Sequence, residues 1–525
     1  MNHAPIVPVV LPALVAGLML IDRRIGSQRA LAWLSAVLLA GCGAWMVALA
    51  ADGWRGVYLV GNWAAPWGIV LVADRLSALM VALTALLAVV ALGAAHGRWD
   101  ERGEHFHPLL QVQLMGLNGA FLTGDLFNLF VFFEVLLIAS YGLLLHGDGA
   151  ARMAAGLRFV TLNLVGSSLF LLAAGILYGV TGTLNMADVA QRLPELAPGE
   201  ATLARTGAWL LLTVFSLKAA ILPLYLWLPG VYAAASPPVA ALFAVMTKVG
   251  VYAVLRVFTA VFGAQAGPLA DAAFPWIAAL AAAGYALSAI GALAGADLRR
   301  LIAFLLIGSA AFLLIGVGLA NERSVAAAIY YLPHTTLSAA ALWLVADTAA
   351  RGRGATGDRL VPGPAVPSPA AVGLLFFVTA VAIAGMPPFG GFVGKAMLLA
   401  SMLPAQAGDG ADALAPGAAT AWLWAIVLGA SLLSIVALAR AGSTLFWKAG
   451  APVPTPGAAR LSAGDLLPAG LALAGVVAIT VFAAPMQRYA LAAARDLLDP
   501  SALVDQVLRT VPKAGPHQPR PESFR

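Results

Sequence analysis

Charge is scarce in this sequence. Asp, Glu, Lys and Arg together make up 10% of 525 residues, where a soluble globular domain carries about 25%. So few charges cannot cover a water-facing surface, which excludes a soluble enzyme and a disordered chain. Nucleic acid is excluded as a partner as well, because the 30 Lys and Arg never gather into a basic stripe. Cysteine is almost absent: Cys42 stands alone, so no intrachain disulfide, iron–sulfur cluster or cysteine-based zinc site can form. Of seven histidines only His334 lies within an apolar run, which rules out a bis-His haem. No HExxH, GxSxG or dinucleotide fingerprint occurs. GGFVGK is not a phosphate loop, since Phe389 holds the first-glycine position and Ala396 the Ser/Thr position. No metal or cofactor is expected.

Apolar residues are abundant, at 61% of the chain. A bilayer core about 30 Å thick takes about 20 apolar residues per helix. On that measure fourteen spans are expected, beginning near residues 4, 30, 74, 108, 126, 159, 206, 239, 274, 301, 322, 370, 419 and 466. The fold class is an all-α polytopic membrane protein embedded in a lipid bilayer. Arg23 and Arg24 follow the first apolar run instead of preceding it, so that run is no cleavable signal and the N-terminus is expected outside. With that orientation fifteen Lys and Arg, from Arg23 to Arg460, fall in inner loops. Only five, Arg55, Arg75, Arg192, Arg205 and Arg323, fall in outer ones. Beyond about residue 486 six more Lys and Arg break that bias, and the segment reads as one amphipathic helix, Tyr489 to about Val511, and a Pro-rich tail.

Four bases remain, all inside spans: Lys218, Lys248, Arg256 and Lys395. Among the acids only Glu134 sits deep. Counted from the outer side at 1.5 Å per residue, Glu134 and Lys395 lie at roughly 12 Å, Lys248 at roughly 16 Å, and Lys218 and His334 at roughly 18 Å. Five titratable groups from five helices thus share one level, which makes a chain parallel to the membrane plane. Arg256, roughly 5 Å from the edge, is expected to snorkel to the headgroups. An ionised group at mid-bilayer costs about 3 kcal/mol or more and marks an ion or proton pathway. Buried lysine releases its proton more readily and a nearby carboxylate restores its charge, whereas arginine never deprotonates. Lysine at all three deep positions therefore points to proton exchange. His334 has a plainer alternative as a neutral histidine bonded to a helix carbonyl, and Glu134 as a neutralising partner.

Two lysines stand beside helix breakers: Lys218 in SLKAAILPLYLWLP and Lys395 in GMPPFGGFVGK. Discontinuous spans at corresponding places in two halves point to an inverted-repeat transport site. They are the seventh and twelfth spans, an offset of five, so each repeat would hold an odd number of helices and be inverted. The expected organisation is residues 1–107 for helices 1–3, 108–264 for the first repeat (helices 4–8), 265–440 for the second (helices 9–13), and 441–525 for helix 14, the amphipathic segment and the tail. Gly291 and Gly295 form a GxxxG that reads as helix packing.

The segments FNLFVFFEVLLIASYGLLLHG (127–147), LRFVTLNLVGSSLF (157–170), LYGVTGTLNMADVA (177–190), SLKAAILPLYLWLPGVYAAASPPVAALFAVMTKVGVYAVLRVF (216–258) and AGMPPFGGFVGKAMLL (384–399) resemble the antiporter-type subunits shared by complex I and Mrp cation/proton antiporters. They are most similar to the D-type branch (Mrp, Mnh or Pha). The resemblance covers most of residues 70–450. It implies a fourteen-helix fold with two inverted five-helix repeats, a Glu134–Lys218 pair, a central Lys248 and a terminal Lys395, with His334 placed like relay histidines of related pumping subunits. It also implies work within a hetero-oligomer of sibling membrane subunits in a prokaryotic inner membrane, exchanging protons for Na⁺ or K⁺. Two rivals stay open: the same fold inside a redox pump of the NADH dehydrogenase or membrane hydrogenase kind, and a structural anchor whose charges only lock helices together.

Overall fold

A computed structural model describes residues 3–147, 149–403, 418–450 and 461–512. The chain opens with α1 (Val7–Ile21) and α2 (Ile25–Ala51), then a hairpin of β1 (Gly56–Leu59) and β2 (Val70–Ala73) paired antiparallel with Gly56 opposite Ala73. Next come α3 (Arg75–Ala95), α4 (Phe106–Leu122), α5 (Leu126–Leu145), α6 (Ala150–Thr181), the short α7 (Met186–Arg192) and α8 (Pro198–Ala219). α9 (Trp227–Ala234), α10 (Pro237–Phe243), α11 (Met246–Ala260), α12 (Phe274–Ala294), α13 (Leu298–Gly318) and α14 (Glu322–Arg351) follow. The remainder is α15 (Pro369–Ala384), α16 (Gly390–Ala400), α17 (Ala418–Gly442), α18 (Ala463–Val481), α19 (Ala483–Leu498) and α20 (Ser501–Arg509).

The fold is all-helical and polytopic. Among the described residues nine stretches are long and apolar enough to cross a membrane: α2, α3, α5, α6, α10–α11, α12, α13, α17 and α18. Where the helices begin follows from side chains that take up free amide groups of the first turn. Asp74 accepts from the Ser77 amide, Asp125 from Asn128, Asp297 from Arg300 and Asn321 from Ser324. Lipid gives helices no hydrophobic reason to associate, so close approach falls to small residues. A methyl group on Gly116 would lie 2.7 Å from the Leu136 amide nitrogen, and one on Gly291 would overlap the Phe304 ring, which places the expected GxxxG face against α13. α14 is the axis of the bundle: every residue from Ser324 to Ala349 is buried. α2, α6 and α17 instead present Leu34, Leu164 and Leu432 outward.

The polar loops gather on two faces. On one, the basic face, Arg29 binds Asp100 at 2.7 Å, Arg351 binds Asp465 at 2.5 Å and Arg440 donates to the Gly295 carbonyl at 2.7 Å. The other is crossed by the C-terminal strap: Arg55 binds Asp496 at 2.7 Å, Arg495 binds Glu322 at 2.6 Å, and Arg75 also pairs with Asp496. The strap corrects the expected single amphipathic helix. It is two helices, α19 and α20, because Pro500 has no amide hydrogen to continue the first. The Pro-rich tail beyond residue 512 lies outside the described residues.

Candidate functional site

The first broken helix places Lys218. α8 stops at Ala219, where Ala220 turns left-handed (φ 55°) and the Ile221 amide closes onto the Ser216 carbonyl at 2.9 Å. Lys218 is the penultimate residue, so its charge sits where the helix dipole is negative. Its Nζ donates to Asn163 Oδ1 on α6 at 2.8 Å. One turn further along α6 the Ser167 hydroxyl donates to the Glu134 carboxylate of α5 and lies 2.9 Å from the Asn163 carbonyl. Glu134 and Lys218, expected as a pair, are thus linked through Ser167 and Asn163, and among the described residues they form no direct ion pair within 4.0 Å. Both are half-buried. Beside Lys218 is a 20 Å³ cavity walled by Phe133, Phe159, Asn163, Trp227 and Tyr232, room for about one water.

Lys248 is the twelfth of 24 residues in the Pro237–Ala260 span and is fully buried. Its Nζ donates to Ser309 Oγ on α13 at 2.5 Å and lies 3.4 Å from Thr247 Oγ1. Ser309 sends its own hydrogen to the Leu306 carbonyl at 2.7 Å, which leaves its oxygen free to accept from the ammonium. Two residues on, Gly250 meets the end of α8 so closely that a methyl group there would overlap the Ala219 amide. That approach sets the central lysine beside the first break.

The second break places Lys395 and His334. α15 ends at Gly385 (φ 69°), and Met386, Pro387, Pro388 and Phe389 lead into α16. A terminated helix leaves carbonyls without amide partners. Here the site residues take them up: Lys395 Nζ donates to the Ala384 carbonyl at 2.7 Å, and His334 Nε2 lies 3.0 Å from the Ala382 carbonyl. The carbonyl fixes the hydrogen on Nε2 and makes Nδ1 the acceptor. Lys395 also donates to Ser431 Oγ on α17 at 2.9 Å, and Ser431 is 3.1 Å from the Tyr285 hydroxyl on α12. An aromatic bridge joins the two clusters. Phe312, three residues beyond Ser309, lies 5.8 Å from the Tyr285 ring and 4.5 Å from Tyr331, which is 6.0 Å from His334.

Arg256 does not snorkel. It is buried and forms a two-pronged pair with Asp74 at 2.6 and 2.8 Å. By sequence Asp74 stands at the lip of a span; its carboxylate instead supplies what a buried guanidinium requires.

Residues 123–411 match the family described as NADH:quinone oxidoreductase/Mrp antiporter, TM. The chain is 39% identical to the probable K(+)/H(+) antiporter D subunit of Rhizobium meliloti (strain 1021), covering 98% of this chain and 99% of that one. It is 36% identical to the Na(+)/H(+) antiporter D subunit of Bacillus subtilis (strain 168), over 86% of this chain and 88% of the other. The chain belongs to the D-subunit family of Mrp antiporters. A chain in the Mrp complex from Dietzia sp. DQ12-45-1b superposes with a TM-score of 0.85 at 26% identity, covering 97% of this chain and 100% of that one. A chain of respiratory complex I from Thermus thermophilus superposes at 0.72 with 24% identity, over 94% of this chain and 99% of that one, a likeness of fold.

In this Mrp antiporter chain the titratable groups were legible in sequence because charge in an apolar run is conspicuous. Their partners, Asn163, Ser167, Ser309, Tyr285 and Ser431, were not. The one available signal was Asn163 and Ser167 four residues apart on α6, which a helix sets on one face.

Proposed function

We propose that this chain is the proton-translocating membrane subunit of a Na⁺/H⁺ or K⁺/H⁺ antiporter complex, with Glu134, Lys218, Lys248, His334 and Lys395 passing protons along the membrane interior. The reading takes the fold as fourteen spans. To the nine already named it adds α1, α4, α8–α9, α14 and α15–α16, with α8–α9 and α15–α16 as the discontinuous seventh and twelfth. Spans four to eight and nine to thirteen form inverted repeats in residues 108–264 and 265–440. The basic face looks into the cytoplasm, since Lys and Arg favour that side, and the N-terminus is then outside.

One observation carries the reading. Lys218, Lys248 and Lys395, on three different helices, each donate to a neutral oxygen, of Asn163, of Ser309 and Thr247, and of Ala384 and Ser431 respectively. A neutral partner leaves the lysine able to give up its proton; a salt-bridged carboxylate would hold it. Glu134 approaches Lys218 only through α6, which suits a switch: moving the carboxylate toward the ammonium raises the lysine's hold on its proton, and withdrawing it lowers that hold. Protons enter from one face, step between the lysines and His334, and leave on the other as the complex, with its sibling subunits, exports a cation. The names of the relatives above support the antiporter reading over a redox pump.

Everted vesicles holding the whole complex test this. Lys218→Ala and Glu134→Ala are expected to abolish cation-dependent pH recovery while the complex still assembles. Undiminished exchange with normal assembly contradicts the assignment.

A further inference from the structure

A column of groups on α11 lies outside that relay. Lys248, Tyr252 and Arg256 recur every four residues, so they share one face of the helix and climb from mid-span to the strap face. The Tyr252 hydroxyl donates to the Phe121 carbonyl at 2.5 Å and accepts from Arg256 Nε at 3.2 Å. The other two guanidinium nitrogens hold Asp74, which also accepts from the Ser77 amide and hydroxyl, both at 3.0 Å. Every member is buried. Next to Tyr252 and Arg256 is a 30 Å³ cavity, also lined by Thr123 and covered by Leu503, Val504 and Val507 of α20. It has room for water.

α20 is a slight cover. It has nine residues, and Val507 alone of them is buried. It is seated by that side chain with Leu503 and Val504 against Leu59, Val70 and Val72, and by Gln506 donating to the Arg55 carbonyl at 3.1 Å. The other charged or titratable groups around Asp74 are Arg75, bound to Asp496 of α19, and Tyr489 of α19, whose hydroxyl donates to the Arg75 carbonyl at 2.7 Å.

We propose that Asp74 is a proton-carrying group at the strap-face end of the transport path, with Arg256 as its counter-ion and α20 as the lid over the cavity beside Tyr252 and Arg256. The proposal rests on the relay reading above. A proton leaves the Lys248 ammonium, which becomes a neutral amine. The Tyr252 hydroxyl, one turn away, accepts a proton on its oxygen and turns its own from the Phe121 carbonyl to water in the cavity that it lines. The released proton ends on an Asp74 oxygen, which becomes a neutral carboxylic acid and loses its bond to Arg256; the guanidinium keeps its charge throughout. When α20 lifts, water in the mouth takes the proton and the carboxylate pairs with Arg256 again. The reverse order loads a proton from the same side.

The test uses vesicles holding the complete complex. Asp74→Asn is expected to lower cation-driven proton exchange by roughly 10²-fold, with Asp74→Glu restoring part of it. Leu503→Asp with Val507→Asp unseats α20. In a Cys42→Ser, Thr123→Cys background this change is expected to open Thr123→Cys to a membrane-impermeant maleimide and to raise passive proton leak several-fold. Adding Asp74→Asn there is expected to return the leak to its starting level. No labelling, no added leak, or a leak indifferent to Asp74→Asn each overturns the proposal. Should Asp74→Asn prevent assembly, Arg256→Lys decides: a shifted pH profile of exchange supports the proposal and an unchanged profile overturns it. If Lys248→Ala abolishes exchange and Asp74→Asn leaves it intact, this proposal falls and the relay stands; exchange surviving both removes the relay.

Discussion

The two broken helices solve one problem in different ways. At the first, Lys218 closes α8 and reaches across to a side-chain amide, Asn163, on a neighbouring helix, and it is half-buried. At the second, Lys395 lies in the middle of α16, buried, and reaches back to the Ala384 carbonyl freed by the break itself, with Ser431 as a further partner. The first lysine depends on one adaptable partner that is itself tied through Ser167 toward Glu134. The second is held by backbone that cannot move without the helix. In the proposed relay, that places a switch at the first break and a fixed station at the second. Unequal partners, not unequal burial cost, make that distinction.

Substitutions can break or sharpen the contrast. The largest effect is expected from the lysines. Lys218→Ala and Lys395→Ala should each abolish exchange, measured as cation-dependent pH recovery, and a surviving Lys395→Ala would leave the second break without a transport role. Next come the partners. Asn163→Ala removes the side-chain oxygen that holds Lys218 and should cost about 1.5–3 kcal/mol, the worth of a hydrogen bond to a charged group. Ser431→Ala leaves Lys395 its carbonyl and should slow exchange much less. Equal effects would erase the difference between switch and station. Gly250→Val should reduce assembly, read as yield of intact complex, because a side chain there collides with the end of α8.

The smallest effect is expected away from both breaks, on the basic face. Asp100 accepts from Arg29 Nε at 2.7 Å and lies 3.2 Å from His107 Nε2. Burial alone pushes its carboxyl up, but the hydrogen bonds and charge of Arg29, aided by His107, hold it below the usual carboxylate range. A depressed group stabilises the fold above its unfolded value of about 3.9 and loses that contribution as pH falls through the lower folded value. Asp100→Asn should therefore lower the apparent Tm of the detergent-solubilised complex by a similar few degrees from pH 7 to about 4. The gap should close only below that, with exchange rates unchanged.

Much of this could be read in the chain beforehand, for physical reasons. A run of apolar residues has one low-energy fate in lipid, so the helices announced themselves, and Lys218, Lys248, His334 and Lys395 stood out within them. Pairings across the bundle could not be read. Asp74 and Arg256 are 182 residues apart, and nothing local in either sequence names the other. Small hydroxyl partners such as Ser309 and Ser431 are common in membrane helices and carry no distinguishing mark. The strap reads as one helix in sequence because its amphipathic pattern continues across Pro500, where the backbone does not.

The central claim is that the buried lysines work by releasing protons, so that a permanent positive charge cannot replace them. Lys248→Arg compared with Lys248→Ala in the assembled complex tests it most directly, since arginine keeps the charge and never gives up its proton. Both substitutions are predicted to abolish cation-coupled proton exchange alike. Exchange that persists with arginine and fails only with alanine would show a fixed charge to be sufficient and would contradict the account.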